Sequence, residues 1–194
     1  MLKNIFLTLI LIACLFSSVL CNVLYVPGDY QTIQDGIDAS RDGDTVMVAP
    51  GTYTFAGNYN IDFLGKSITV ISESGAENTI IDCRQDGRGF IFESGENPDA
   101  VLDGFTINDA YVGIDEVGGG VLCYLSSPTI RNNIITSNYA YLGGAIGTVG
   151  GAPVIENNTI NDNLAERGGG IYCTGGSQAE IVGNEIYNNF SQGG

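Results

Sequence analysis

Apolar and polar positions repeat with a fixed spacing towards the end of the chain. The segment Ile-Arg-Asn-Asn-Ile-Ile at 130–135 returns as Ile-Glu-Asn-Asn-Thr-Ile at 155–160 and as Ile-Val-Gly-Asn-Glu-Ile at 181–186. A period of about 25 residues with short β-branched runs is typical of a solenoid, in which each repeat buries its apolar face against its neighbours. The pattern therefore predicts an all-β fold of stacked coils.

Each repeat contains short apolar runs, at 129–130, 134–136 and 145–148 in its first copy, and Asn or Gly residues that favour turns lie between them. Three strands per unit predict a triangular coil. Asparagines then fall one above another at two corners, where stacked amides can hydrogen-bond along the axis. We expect two structural ladders, formed by Asn133, Asn158 and Asn184 and by Asn138, Asn163 and Asn189.

The coils before this region are less regular. The strand at 145–148 can be followed 25 residues upstream, where three glycines precede the apolar run at 121–123. Further back, strand-length apolar runs lie at 68–71, 79–82, 90–92 and 101–107, separated by Gly, Glu, Asn and Pro. The extra residues at 109–117 are predicted to form a loop on the rim of the coil.

The start of the predicted mature chain has the pattern of a short helix. Thr32 and Asp35 have a spacing like that of a capping box, and Ile33 and Ile37 share one helical face. We expect this helix to cover the first coil, because the open end of a solenoid must be capped.

Two groups of residues carry a resemblance to known families. Tyr-Gln-Thr-Ile at 30–33, the segment 43–53 and the runs at 66–70 and 79–81 resemble the opening of right-handed parallel β-helix proteins of the pectin-lyase-like superfamily. The later units, with Asn138, Ala140, Gly143 and Ile146, are similar to the repeats of bacterial polymorphic outer-membrane proteins. The resemblance implies a right-handed parallel β-helix. It leaves the activity open, since the superfamily includes lyases, hydrolases, esterases, epimerases and adhesins.

Residues 1–21 have the features of a signal peptide, with Lys3 followed by an apolar run over 5–20. Cleavage after Cys21 would leave one β-helix domain at 22–194. The alternative is a lipoprotein signal ending at Cys14, which would require an unusually short apolar core. The third repeat stops at Gly194, so the domain is expected to be truncated at its C-terminus. The predicted location is secreted or on the outer cell surface.

Cysteine positions argue against a disulfide framework. Cys123 and Cys173 share the coil position of Thr148 and lie two coils apart, so their separation would be roughly 9 to 10 Å, beyond the reach of a disulfide. Their strand parity with Val121 and Ile171 predicts that both thiols point into the core.

The net charge of −15 makes nucleic acid an improbable partner, because no basic stripe is present to displace counterions from phosphates. The acidity leaves calcium possible as a cofactor, although Asp38, Asp42 and Asp44 do not follow the spacing of an EF-hand. Turn and cap roles explain these aspartates more simply, and no metal site is assigned. The chain is expected to be a monomer without a membrane span.

The chain has no His, and it lacks the adjacent Asp pair expected of polygalacturonase-like hydrolases. The weak catalytic candidates are clustered at Asp82, Arg84, Asp86 and Arg88, which could hold calcium and place an arginine near an acidic sugar, as a lyase requires. The alternative is a solvated turn with local ion pairs of little energetic value.

A binding function requires fewer specialised residues than catalysis does. Asn108, Thr136, Asn161 and Tyr187 are predicted to form a polar row on one outer face, where amides and rings can hold a sugar chain. The alternative is that they only solvate the face. The sequence favours an exported protein that binds polysaccharides, cell-surface glycans or partner surfaces. The second hypothesis is the N-terminal part of a polysaccharide lyase or hydrolase that acts on acidic polysaccharides.

Overall fold

The computed structural model describes residues 21–193, so all but the last residue of the predicted signal peptide lies outside the described part of the chain. The described residues form a parallel β-solenoid of about six turns, with about 26 residues per turn. One short helix lies near the N-terminus. The all-β coiled fold that the sequence repeat predicts is therefore confirmed.

Three parallel sheets run along the solenoid, and each complete coil adds one strand to each of them. The seven-stranded sheet contains, in spatial order, Val23–Val26, Thr45–Val48, Thr69–Ser72, Val101–Asp103, Thr129–Arg131, Val154–Glu156 and Glu180–Val182. The six-stranded sheet contains Gly51–Tyr53, Thr79–Asp82, Thr106–Asn108, Ile134–Thr136, Thr159–Asn161 and Glu185–Tyr187. The five-stranded sheet contains Ile61–Asp62, Phe90–Phe92, Val121–Tyr124, Ile146–Val149 and Ile171–Thr174.

A further sheet of three strands lies between the six-stranded and five-stranded sheets in each later coil, and the sequence pattern did not predict it. Its strands are Tyr139–Leu142, Leu164–Arg167 and Phe190–Ser191. The sequence pattern predicts three strands in each unit, with Asn or Gly pairs between them, whereas the residues before the glycines at 143–144 form a fourth strand. The later coils are therefore four-sided rather than triangular.

The interior is a continuous stack of inward-facing apolar side chains. In the middle coils aromatic rings fill it, with the ring centroids of Phe63 and Phe92 4.4 Å apart and those of Phe90 and Phe105 5.8 Å apart. In the later coils isoleucines replace them, and Ile130 lies in register with Ile155. Removing this apolar surface from water is the main stabilising contribution to such a fold.

The predicted N-terminal helix is present as α1, Ile33–Ala39. Thr32 is its N-cap, and the side chain of Thr32 accepts a hydrogen bond from the backbone N–H of Asp35. Ile33 and Ile37 are fully buried. The helix therefore covers the apolar end of the first coil, as expected.

Two details differ from the sequence interpretation. The apolar run at 101–107 is two strands rather than one, because Gly104 adopts a φ of 81° and turns the chain from one sheet to the next. Cys173 is exposed, whereas Cys123 is fully buried. The register places Cys123 beside Thr148 and Thr148 beside Cys173, but within the described residues no further coil lies over the last of these strands.

The described cysteines, Cys21, Cys83, Cys123 and Cys173, are all free thiols. Burial raises the pKa of the Cys83 thiol to about 12, and the nearby charges of Asp82 and Asp109 add to the shift. Burial likewise raises the pKa of the Cys123 thiol. Both buried thiols are therefore held in the protonated, unreactive form.

Candidate functional site

The acidic members of the predicted catalytic cluster are engaged in separate local contacts. Oδ1 of Asp82 accepts a hydrogen bond from the backbone N–H of Arg84 at 3.0 Å, which stabilises a turn. Oδ2 of Asp86 accepts from the hydroxyl of Tyr59 at 2.7 Å, and this hydrogen bond raises the pKa of Tyr59. Among the described residues, no three Cys, Asp or Glu side chains are grouped so that they could hold a metal ion.

Arg88, the last member of that cluster, contacts the inserted loop. Its guanidinium forms an ion pair with Glu116, and its Nε donates to the carbonyl oxygen of Gly118 at 3.0 Å. The side chain of Arg88 is only 15% exposed. The contacts indicate that Arg88 fastens the inserted residues 109–117 against the five-stranded sheet.

The four residues of the predicted polar row occupy equivalent positions on successive strands of the six-stranded sheet. Asn108 is in register with Thr136, Thr136 with Asn161, and Asn161 with Tyr187. Asp82 precedes Asn108 in the same row, so a catalytic candidate and the binding candidates share one face. The sequence could not show this, because the earlier coils differ in length.

The later members of the polar row hydrogen-bond to one another. Oγ1 of Thr136 donates to Oδ1 of Asn161 at 2.7 Å, and Nδ2 of Asn161 donates to the hydroxyl of Tyr187 at 3.1 Å. Oδ1 of Asn108 is buried and has no hydrogen-bond partner among residues 21–193. Much of the hydrogen-bonding capacity of this row is therefore already used, and ligand binding by the row stays a prediction.

A groove of about 630 Å³ lies on the outer face of the seven-stranded sheet. Its floor is a row of side chains from three neighbouring strands, Thr69, Val101 and Thr129, which are in register. The turns at 42–44 and 98–99 and the side chains of Ser67 and Arg131 complete the lining. The groove is thus built from four successive coils.

The wall of this groove is a stack of hydrogen-bonded turns. The backbone N–H of Ser67 donates to Oδ1 of Asp42 at 2.9 Å, and Nδ2 of Asn97 donates to Oγ of Ser67 at 2.9 Å. Oγ1 of Thr129 donates to the carbonyl oxygen of Pro98 at 2.9 Å, which ties the wall to the floor. These contacts tie the turns of successive coils to one another and to the floor of the groove.

The charged side chains of the groove differ in how they are engaged. Asp44 is buried, and its carboxylate accepts hydrogen bonds from the backbone N–H groups of Asn22 and Arg41, of which the former contributes most to lowering its pKa. Nε of Arg131 forms an ion pair with Oδ2 of Asp103 at 2.8 Å. Within the described residues, by contrast, the carboxylate of Asp99 makes no hydrogen bond or ion pair, and it is exposed to the groove.

The pattern of the sequence does not reveal this groove. Thr69 and Val101 are 32 positions apart and Val101 and Thr129 are 28 apart (101 − 69 and 129 − 101), so they do not follow the later repeat. Their common signal is a position at the start of an apolar strand. That signal is shared by many residues, and only the register of the strands shows which of them meet.

A smaller concavity of about 350 Å³ lies on the five-stranded sheet, beside the inserted loop. Val117 of the loop and Leu122, Tyr124 and Val149 of the strands give it an apolar lining, and Arg88 lies at its edge. It has fewer hydrogen-bonding groups than the groove on the seven-stranded sheet.

Comparison with known proteins supports the architecture. A family model described as a right handed beta helix region matches residues 68–194. No curated protein and no solved structure matches the chain. None of the helices in residues 21–193 combines the length and the apolar character that crossing a membrane requires.

Proposed function

The chain belongs to the right-handed β-helix family, and we propose that it is a binding protein for polysaccharides. Family membership fixes the fold and not the ligand, so the proposal depends on the features of one site. The proposed site is the groove on the seven-stranded sheet. The polymer would lie along the solenoid axis, across the strands that contribute Thr69, Val101 and Thr129. Successive coils place these residues at intervals of about 4.8 Å, so an extended chain meets a new strand at each step.

One observation carries this proposal: the groove combines apolar contact surface with hydrogen-bonding groups that are not used within the protein. Val101 and Pro98 present CH groups, while Asp99 and the Thr69 hydroxyl make no side-chain hydrogen bond among the described residues. A sugar presents the same two kinds of surface, with CH groups on its faces and hydroxyls around its edge. Sites that recognise such ligands pair an apolar lining with a few placed polar groups.

The proposal includes export of the protein to the cell surface or medium. Its support is the sequence of residues 1–21, in which a basic start and an apolar run match a secretory signal. Expression of the full chain in a secreting host tests this part. Mature protein that starts at Asn22 supports it, and full-length chain retained in the cytoplasm would contradict it.

Affinity electrophoresis in gels that contain a dissolved polysaccharide tests binding. We expect retardation in at least one of a panel of neutral and acidic polymers. Val101→Gln should reduce the retardation, because it removes the apolar floor and extends a longer side chain into the groove. Val154→Gln is the matched control, since Val154 follows Thr129 in the same row but does not line the groove.

Two results would count against the proposal. Absence of retardation by every polymer would remove the binding function, and equal effects of the two substitutions would remove the groove as its site. The same incubations can be followed for unsaturated or reducing products. Their release would favour the alternative hypothesis of a lyase or hydrolase.

A further inference from the structure

We propose that the groove on the seven-stranded sheet selects uncharged glycans and rejects polyuronates, with Asp99 as the residue that determines this preference. The inference rests on the proposed polysaccharide-binding function and specifies the class of ligand. It differs from the substrate class that the pectin-lyase-like resemblance suggests, which is acidic.

Acidic side chains outnumber basic ones in the lining of the groove. Asp42, Asp44 and Asp99 lie along its wall, and Arg131 is the single basic side chain that residues 21–193 contribute to its lining. Arg131 already forms an ion pair with Asp103, whose other carboxylate oxygen accepts from Nδ2 of Asn132 at 2.8 Å. The groove therefore presents a net negative charge to a ligand, and the described residues of its lining include no unpaired cation.

A polyuronate would bring carboxylates towards this wall. Like charges at short range disfavour binding, and the effect increases when the groove excludes water. The whole chain adds to it, because a net charge of −15 repels a polyanion over longer distances at low ionic strength. A neutral polymer meets no such repulsion.

The exposed carboxylate of Asp99 also favours a neutral sugar. A sugar hydroxyl can donate a hydrogen bond to the carboxylate of Asp99, and such charge-assisted hydrogen bonds are stronger than those between neutral groups. The backbone N–H of Asp99 donates to Oδ1 of Asn97 at 2.8 Å, which fixes the turn that presents the carboxylate. Val101 and Pro98 lie beside it in the lining for contact with the CH face of the ring.

The substitution Asp99→Asn separates charge from shape, because the amide has nearly the same size and still accepts a hydrogen bond. We expect it to weaken binding of a neutral polymer by about fivefold, since a charge-assisted hydrogen bond is replaced by a neutral one. The matched control is Glu166→Gln, which removes the same charge from a strand of the three-stranded sheet. This control should leave binding unchanged.

Affinity electrophoresis of the wild type and both variants tests the inference with a neutral glucan, a galactomannan and polygalacturonate, in the presence of EDTA. Runs at about 20 mM and about 300 mM NaCl show whether long-range repulsion contributes. The expected result is that a neutral polymer retards the wild type at both salt concentrations. Polygalacturonate should not retard it at the lower concentration.

The outcomes separate the two proposals. Stronger retardation by polygalacturonate than by either neutral polymer would overturn the neutral preference and leave polysaccharide binding intact. Absence of retardation in all three gels would overturn both. Equal retardation of the Asp99→Asn and Glu166→Gln variants by a neutral polymer would remove Asp99 as the determinant.

Discussion

Asn163 lies directly below Asn189 of the next coil, and Nδ2 of Asn163 donates a hydrogen bond to Oδ1 of Asn189 at 2.9 Å. The same nitrogen donates to the carbonyl oxygen of Ile135 at 2.8 Å, and Oδ1 of Asn163 accepts from Nδ2 of Asn138 at 3.0 Å. The amide thus bonds to coils on both sides of its own. Stacked amides of this kind stabilise one corner of the solenoid, because each supplies the hydrogen-bond partners that its buried neighbours require.

Replacing Asn163 by Ala should destabilise the protein by about 2–3 kcal/mol, because several buried groups lose their partners at once. Asn163 is 1% exposed, so water cannot substitute for the amide without a rearrangement of the corner. Denaturation in urea measures the loss. Asn78→Ala is the control, because the exposed amide of Asn78 has Ser74 as its single hydrogen-bond partner within residues 21–193. Similar losses in both variants would contradict the structural role of the ladder.

Gly147 lets the inserted loop lie on the five-stranded sheet. A Cβ at this position would meet the side chain of Val117 and the backbone nitrogen of Gly118 at less than contact distance. Gly147→Ala should therefore dislodge the loop while the strand dihedral angles remain allowed. Limited proteolysis measures this, with faster cleavage within 109–117 as the expected result. An unchanged cleavage rate at those sites would show that the loop does not depend on this close approach.

The free energy of unfolding should fall at alkaline pH through the buried thiol of Cys83. An unfolded thiol ionises near its ordinary pKa of 9.0, whereas the pKa of folded Cys83 is about 12. The folded state then retains a proton that the unfolded state loses. The stabilisation is fully present below pH 9 and is lost as the pH rises towards 12.

Urea denaturation with a reductant at pH 8 and at about pH 10.5 measures this loss, to which Cys83 contributes about 2 kcal/mol. Cys83→Ala is expected to be less stable at both values because it leaves a cavity. Its stability should nevertheless depend less on pH than that of the wild type. Parallel pH profiles would show that Cys83 is not the titrating group.

The sequence was sufficient for the architecture because the same residue types recur at corresponding positions. Ile130 and Ile155 are the same residue type and lie in register. Asn133 and Asn158 are also the same residue type, and their side chains are hydrogen-bonded at 3.1 Å. A repeat of this kind makes local propensity and packing agree, so the period predicts the coil. The capping helix could also be predicted from the sequence, because Thr32 is a local signal for a helix N-terminus.

The groove could not be predicted in this way. It depends on which turns of unequal length stack against one another, and the hydrogen bond from Ser67 to Asp42 joins residues 25 positions apart with no common motif around them. The exposure of Cys173 could not be predicted for a different reason. Strand parity predicts the direction of a side chain and not what lies over it. Register and neighbouring coils decide these features, and neither is a local property of the sequence.

The most direct test of polysaccharide binding in the groove is carboxyl labelling of the protein with and without a neutral polysaccharide, followed by mass spectrometry of the peptides. We expect the polymer to protect Asp42 and Asp99 in the groove on the seven-stranded sheet. Asp82, which lies in the polar row of the six-stranded sheet, should be labelled equally in both samples. Protection of Asp82 with unchanged labelling of Asp99 would contradict the account and assign binding to the other face.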